Sequence, residues 1–260
     1  MKVITDNALE TKIEVAGNQK ITKNKITKNK ITKHKITKHK ITKHKITKQK
    51  HFDAIKTYFK INYIYYITLL ICLFILSIKS KSSFIYLCIC FIVVSFCGFI
   101  CHVSSHYFSF AKYYKLGDTI FHKIHITDYL LQRICSVYDF HHDIHHDSSI
   151  NKSFRNILFE GLNNFYFQSI ILLIFKYLLN FLDDKIIIFW GLFYTTVHII
   201  NYSIHESSVH VEHHVDNSTN YGIELYDVLM GTKYDWKNIE NHNYSAINII
   251  ILTIIFYNIM

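Results

Sequence analysis

Four long apolar runs, at residues 61–77, 84–101, 165–182 and 186–204, set the pattern of the chain. Each approaches the roughly 20 residues that an α-helix needs to cross a bilayer. The polar stretch 78–83 leaves room only for a turn, so the first two runs predict a helical hairpin. Asp183, Asp184 and Lys185 mark the turn of a second hairpin. A fifth run, 246–260, is shorter and fits spanning, lying at the interface or packing on the others. Helices buried in a soluble core compete as a reading of any single run, but two adjacent hairpins of this length favour insertion. The expected fold is an all-α integral membrane protein with about four transmembrane helices in two hairpins.

Charge changes the picture in one place. The formal net charge is +10, yet residues 1–51 hold 15 lysines against three acids, while 52–260 hold 14 basic and 16 acidic residues. The chain therefore divides into a basic tail, 1–51, and a nearly neutral body, 52–260. Within the tail the pentad Lys-Ile-Thr-Lys-X occurs six times over residues 20–49. A five-residue period matches neither a helical stripe nor strand alternation. With one Ile per five residues it buries too little to order itself, so a disordered tail is expected. Such a segment can grip anionic headgroups or bind nucleic acid without sequence preference; no specific nucleic-acid partner is expected. His34, His39 and His44 fill the slot that Asn and Gln also fill, and are not read as ligands.

The same charges orient the spans. Lys56, Lys60 and the basic tail flank the first run, whereas the hairpin loop carries only Lys79 and Lys81. The positive-inside rule puts the N-terminus in the cytosol. No apolar signal-peptide core follows Met1. The six cysteines, Cys72, Cys88, Cys90, Cys97, Cys101 and Cys135, lie mostly in apolar runs and predict buried thiols rather than disulfides.

Histidine supplies the candidate chemistry. His102 and His106 are spaced i, i+4 just past the second run. His142, His145 and His146 form an HxxHH box, and His210, His213 and His214 form another. Such spacings put the rings on one helix face, and neutral imidazole is the commonest transition-metal ligand. Counting crossings from a cytosolic N-terminus brings the boxes to one face, as a cytosolic histidine-rich helical cap. One HxxxH is weak evidence, but three clusters in register with membrane exits are specific. His205, shortly before the last box, is a ninth candidate ligand. His141 can replace His142 or support it, and His198, inside an apolar run, needs a polar partner and is placed to reach the site from below. His122 and His125 are read as structural, and His242 as a surface residue. Asp143, Asp147, Glu206, Glu212 and Asp216 are candidates to accept a ring N–H and fix a tautomer.

The boxes, with Asn220-Tyr221-Gly222-Ile223, Asp227 and Gly231-Thr232 after the last one, resemble the fatty acid hydroxylase/sterol desaturase superfamily. The likeness extends over 61–235 in organisation and is most specific over 205–232. It implies a four-span fold capped by a histidine-ligated di-iron site, with His102, His106, His142, His145, His146, His210, His213 and His214, and also His205, as ligands. Two features depart from that pattern. Val103 stands where an Arg is common, and residues 107–141 make a long separation between the first two boxes.

The expected activity is O2-dependent hydroxylation of a fatty acyl or sterol C–H bond. That bond demands an oxidant made from O2, which redox-inert zinc cannot supply; hence two iron ions, with zinc an alternative occupant in purified protein. No flavin, haem or nicotinamide motif is visible, so electrons would come from a separate donor such as a cytochrome b5-like protein. A lipid desaturase using the same site is the alternative enzyme, and a membrane zinc-binding or transport protein the alternative class. Transport favours ligands at mid-depth of the bilayer rather than at its rim. The expected location is the endoplasmic reticulum or an equivalent membrane, with the histidine site facing the cytosol.

Overall fold

The computed structural model describes residues 48–107, 139–140, 153–176, 180–205 and 207–260. The body is mainly helical, without strands among the described residues. It starts at Lys48, so Lys48–His51, read above as tail, belong to the first helix, α1 (Lys48–Ile61). The histidine-bearing repeats before it lie outside the described residues.

Helix α2 (Tyr63–Ser80) ends where Lys81 takes the left-handed conformation, φ 56°. The N–H groups of Lys81 and Ser82 then close on the carbonyls of Ile78 and Ser77 at 3.3 and 3.1 Å, satisfying the last turn. Helix α3 (Phe84–Tyr107) follows at once, which gives the expected first hairpin. It runs past residue 101, so His102 and His106 ride on its last two turns.

The second hairpin differs from the expectation of a span at 165–182. Helix α4 (Phe154–Phe165) begins three turns earlier, with the Ser153 hydroxyl accepting the N–H of Asn156 at 3.3 Å. It passes into a π-helical stretch, Tyr166–Ile170, and then α5 (Ile171–Phe175). Arg155, Asn156, Glu160, Asn163 and Asn164 interrupt the apolar run in the sequence. In the helix, Asn163 and Asn164 turn inward, while Phe154, Leu158, Phe159 and Leu162 face out. Asp183 then caps α6 (Asp184–Val197) by accepting from Lys185 and Ile186 N–H, and Lys176 pairs with Asp184 across the turn. Helix α6 continues as a π-helical stretch, His198–Ile204. Three more helices follow among the described residues: α7 (Ser208–Val215), α8 (Glu224–Met230) and α9 (Ser245–Ile259).

Helix α9 packs along α2, α4 and α3 pack on α6, and Leu73, Leu76, Leu87, Val94, Ile187, Phe189, Trp190 and Ile249 form the common core. Two polar side chains inside that core are matched. Gln168, in the π-helical stretch, donates to the Gly98 carbonyl at 3.2 Å and accepts from Trp190 Nε1 at 3.0 Å. Ser169 Oγ donates to the Ile187 carbonyl at 3.0 Å. The outward faces are the opposite: Ile67, Ile71, Phe74 and Ile78 on α2, and Ile85, Ile89 and Ile92 on α3, are exposed. Such continuous apolar exposure has no place in water. Among the described residues, three helical stretches, Tyr63–Ser80, Phe84–Tyr107 and Phe154–Ile174, are long and apolar enough to cross a membrane. The five described cysteines are free thiols.

Candidate metal centre

The histidine site forms where α3, α6 and α7 end together. Helix α7 is capped by Ser207, whose hydroxyl accepts the His210 N–H at 3.3 Å, and this fixes the start of the last box. His210, His213 and His214 then share the inner side of a single short helix, with His210 and His213 buried. His102 and His106 come from α3, with their rings stacked at 5.1 Å between centroids.

Two pairs of ring nitrogens stand face to face. The Nε2 atoms of His102 and His106 are 3.1 Å apart, and those of His210 and His214 are 2.8 Å apart. Two nitrogens bound to one ion at about 2.0–2.1 Å, at angles between octahedral and tetrahedral, are separated by about 2.8–3.4 Å. Both pairs meet that geometry. His213 lies between them, its ring 4.7 Å from His106 and 6.1 Å from both His210 and His214. The ligand atoms of His102, His106 and His213 all lie within 4.8 Å of one another.

The surroundings set the tautomers. His213 Nδ1 is 2.6 Å from the Thr219 carbonyl, an acceptor only, so Nδ1 carries the proton and Nε2 keeps its lone pair. His102 Nδ1 meets the Tyr194 hydroxyl at 3.1 Å, which leaves its Nε2 toward His106. His198, whose polar partner the sequence left open, is paired with Glu160 at 2.9 Å and sits edge-on to His210, 5.3 Å between ring centroids. It opens the π-helical stretch that ends α6. A donor set of neutral imidazoles, two pairs and one ring with fixed protonation, fits transition-metal ions rather than hard oxygen-seeking cations.

The segment after the last box is a hydrogen-bonded lock. Asp227 accepts the N–H groups of Tyr221 and Gly222 at 2.9 and 3.1 Å, and the Thr232 hydroxyl at 2.6 Å. Asn220, at φ 50°, returns its N–H to the Thr232 carbonyl and its side-chain N–H to the Val209 carbonyl. Gly231, at φ 77°, supplies the left-handed turn that ends α8. This lock presents the Thr219 carbonyl to His213. Burial pushes the Asp227 carboxyl up to about 6, although Thr232, the two N–H groups and Lys233 oppose the rise.

No protein-family model matches the chain, and neither does any curated protein or solved structure. The site therefore stands on its own geometry.

The described residues bring together His102, His106, His210, His213 and His214 of the sequence-derived set, and add His198. His205 is exposed at the end of the π-helical stretch. His141, His142, Asp143, His145, His146, Asp147 and Glu206 lie outside the described residues, as do His122 and His125. Glu212 and Asp216 hold the chain around the last box. Glu212 accepts from the Asn220 and Asn238 amides at 3.1 and 3.0 Å. Asp216 Oδ1 accepts the Ser218 N–H and hydroxyl in the turn after α7. His242 is buried rather than on the surface, with Nε2 3.6 Å from Glu224, which also pairs with buried Lys233 at 2.5 Å.

Tyr194, Thr219 and Glu160 escaped the sequence reading. Glu160 had a signal, since a lone acid among apolar residues of a span calls for a partner. Thr219 acts through its backbone and had none.

Proposed function

We propose that this protein is a membrane-bound oxidoreductase that uses O2 and two histidine-held iron ions to hydroxylate a C–H bond of a lipid, a fatty acyl chain or a sterol. The observation that carries this reading is the pair of Nε2–Nε2 approaches, His102/His106 at the end of apolar α3 and His210/His214 on the short helix α7. In it, α6 and the π-helical stretch after it act as the fourth span, giving two hairpins with the N-terminus and the histidines on the cytosolic side. The membrane is that of the endoplasmic reticulum or an equivalent.

His102, His106 and His213 would hold one ion; His210 and His214, with His198 nearby, would hold the other, joined by ligands from 142–146. When bound, the ions supply the redox chemistry that converts O2 into an oxidant for an aliphatic C–H bond. The protein's part is orientation and insulation. Tyr194 and the Thr219 carbonyl fix the rings, and the packed aromatic core under the site excludes water. A separate electron donor, such as a cytochrome b5-like protein, would dock on the cytosolic face.

Metal analysis of purified protein together with lipid profiling of expressing cells tests the reading. Iron, and a lipid gaining one oxygen atom in wild type but not in His213→Ala, is the expected result. A loss of two hydrogens instead would reassign the site to a desaturase. Zinc with ion flux and unchanged lipids would replace it with transport.

A further inference from the structure

Helix α1 has one face on the protein and one facing away from it. Ala54 and Tyr58 are buried, and His51 reaches the Val228 carbonyl at 2.6 Å and the edge of Trp236. On the opposite side Phe52, Lys56 and Phe59, spaced i, i+4 and i+7, form an exposed stripe, and exposed Tyr63 follows at the start of α2. Lys56 Nζ lies 4.5 Å from the centroid of the Phe52 ring, and Lys48 and Lys60 are exposed on the same helix.

Asn62 alone separates this helix from the first apolar span. Its Nδ2 donates to the Glu240 carbonyl at 3.1 Å, and its Oδ1 accepts the His242 N–H at 2.6 Å. Helix α1 is thus fixed at the mouth of the span. Aromatic rings and lysines at that level are what the headgroup zone selects, since rings settle at the interface and ammonium groups extend to phosphates. The pentad repeats run directly into this helix: the sixth copy ends at Gln49, inside its first turn.

We propose that α1 and the Lys-Ile-Thr-Lys-X repeats together bind the anionic phospholipid headgroups of the leaflet at which the first span begins. The charge is complementary, with 15 lysines against three acids in residues 1–51, and the repeats are continuous in sequence with α1. The proposal depends on membrane insertion but not on the histidine chemistry.

The test uses the full chain in nanodiscs of phosphatidylcholine, with or without about a third phosphatidylserine, digested by trypsin beside a soluble control substrate. Cleavage at the repeat lysines should slow at least about tenfold with phosphatidylserine. That protection should vanish near 1 M salt, where screening acts within about 3 Å. Replacing Lys48, Lys56 and Lys60 by Gln, all exposed and so harmless to folding, should weaken it. Equal cleavage in both nanodiscs overturns the proposal, as does protection that survives high salt or is untouched by the three substitutions. Protection by single-stranded RNA that phosphatidylserine cannot match would assign the repeats to nucleic acid instead.

Discussion

Tyr194 and Thr219 show how the centre is held by groups that are not themselves ligands. The Tyr194 hydroxyl is 3.1 Å from His102 Nδ1, so Tyr194→Phe leaves the ring in place without its partner. Loss of such a contact commonly lowers metal affinity by about 10–100-fold; competition with a chelator should read that loss while circular dichroism stays unchanged. Asp227 gives a pH prediction. Its carboxyl is raised from 3.8 to about 6 in the folded chain. Its contribution to stability is therefore fully present below about pH 4 and lost as pH rises through about 6. Up to about 3 kcal/mol is at stake. Asp227→Asn is destabilised at every pH through its lost acceptor, yet the gap to wild type should narrow between pH 4 and 7. Thermal unfolding in detergent measures this, and a constant gap would refute it. Glu224 has the opposite sign. Burial pushes it up, but His242 and Lys233 outweigh that and hold it below its ordinary value.

Among the helices, α6 and the π-helical stretch Tyr166–Ile170 are pressed together through small residues. A Cβ on Gly191 would lie 2.6 Å from the Ser169 Cβ, an atom that cannot move without the backbone. Gly191→Ala should therefore cost about 1–3 kcal/mol, seen as a lower Tm, with the Ser169–Ile187 hydrogen bond lost. Sequence reading located the first hairpin well, because residues 61–101 are apolar apart from one short polar turn. It misplaced the third span for a definite reason. Asn163 and Asn164 look polar in a linear window but point into the bundle, and only helical phase separates them from Phe159 and Leu162. The helical spacing of the last box was also legible, whereas Asn220, Asp227 and Gly231 stood out only through the family resemblance, and their hydrogen-bonded lock came from the structure. Contacts made by carbonyl oxygens leave no mark in residue type, and long-range pairs such as Glu160 with His198 are marked only by one partner's isolation.

For the molecule as a whole, the distribution of surface is inverted relative to a soluble bundle. Gln168, Ser169, Asn163 and Asn164 are inside, while Ile71, Phe74, Ile89 and Ile254 are outside. The protein should remain in the membrane fraction after an alkaline carbonate wash and aggregate when detergent is diluted; release into the supernatant would contradict the spans. The histidine rings are positioned by this same bundle, so changes that loosen α6 against α3 should also reduce metal retention.

The lock around Asp227 closes through hydrogen bonds of the chain itself, which hold the Thr219 carbonyl against His213. Chelation should thus leave helix content intact, unlike small zinc modules that collapse when stripped. On the metal reading proposed above, stripped protein should regain its ions on resupply without new synthesis.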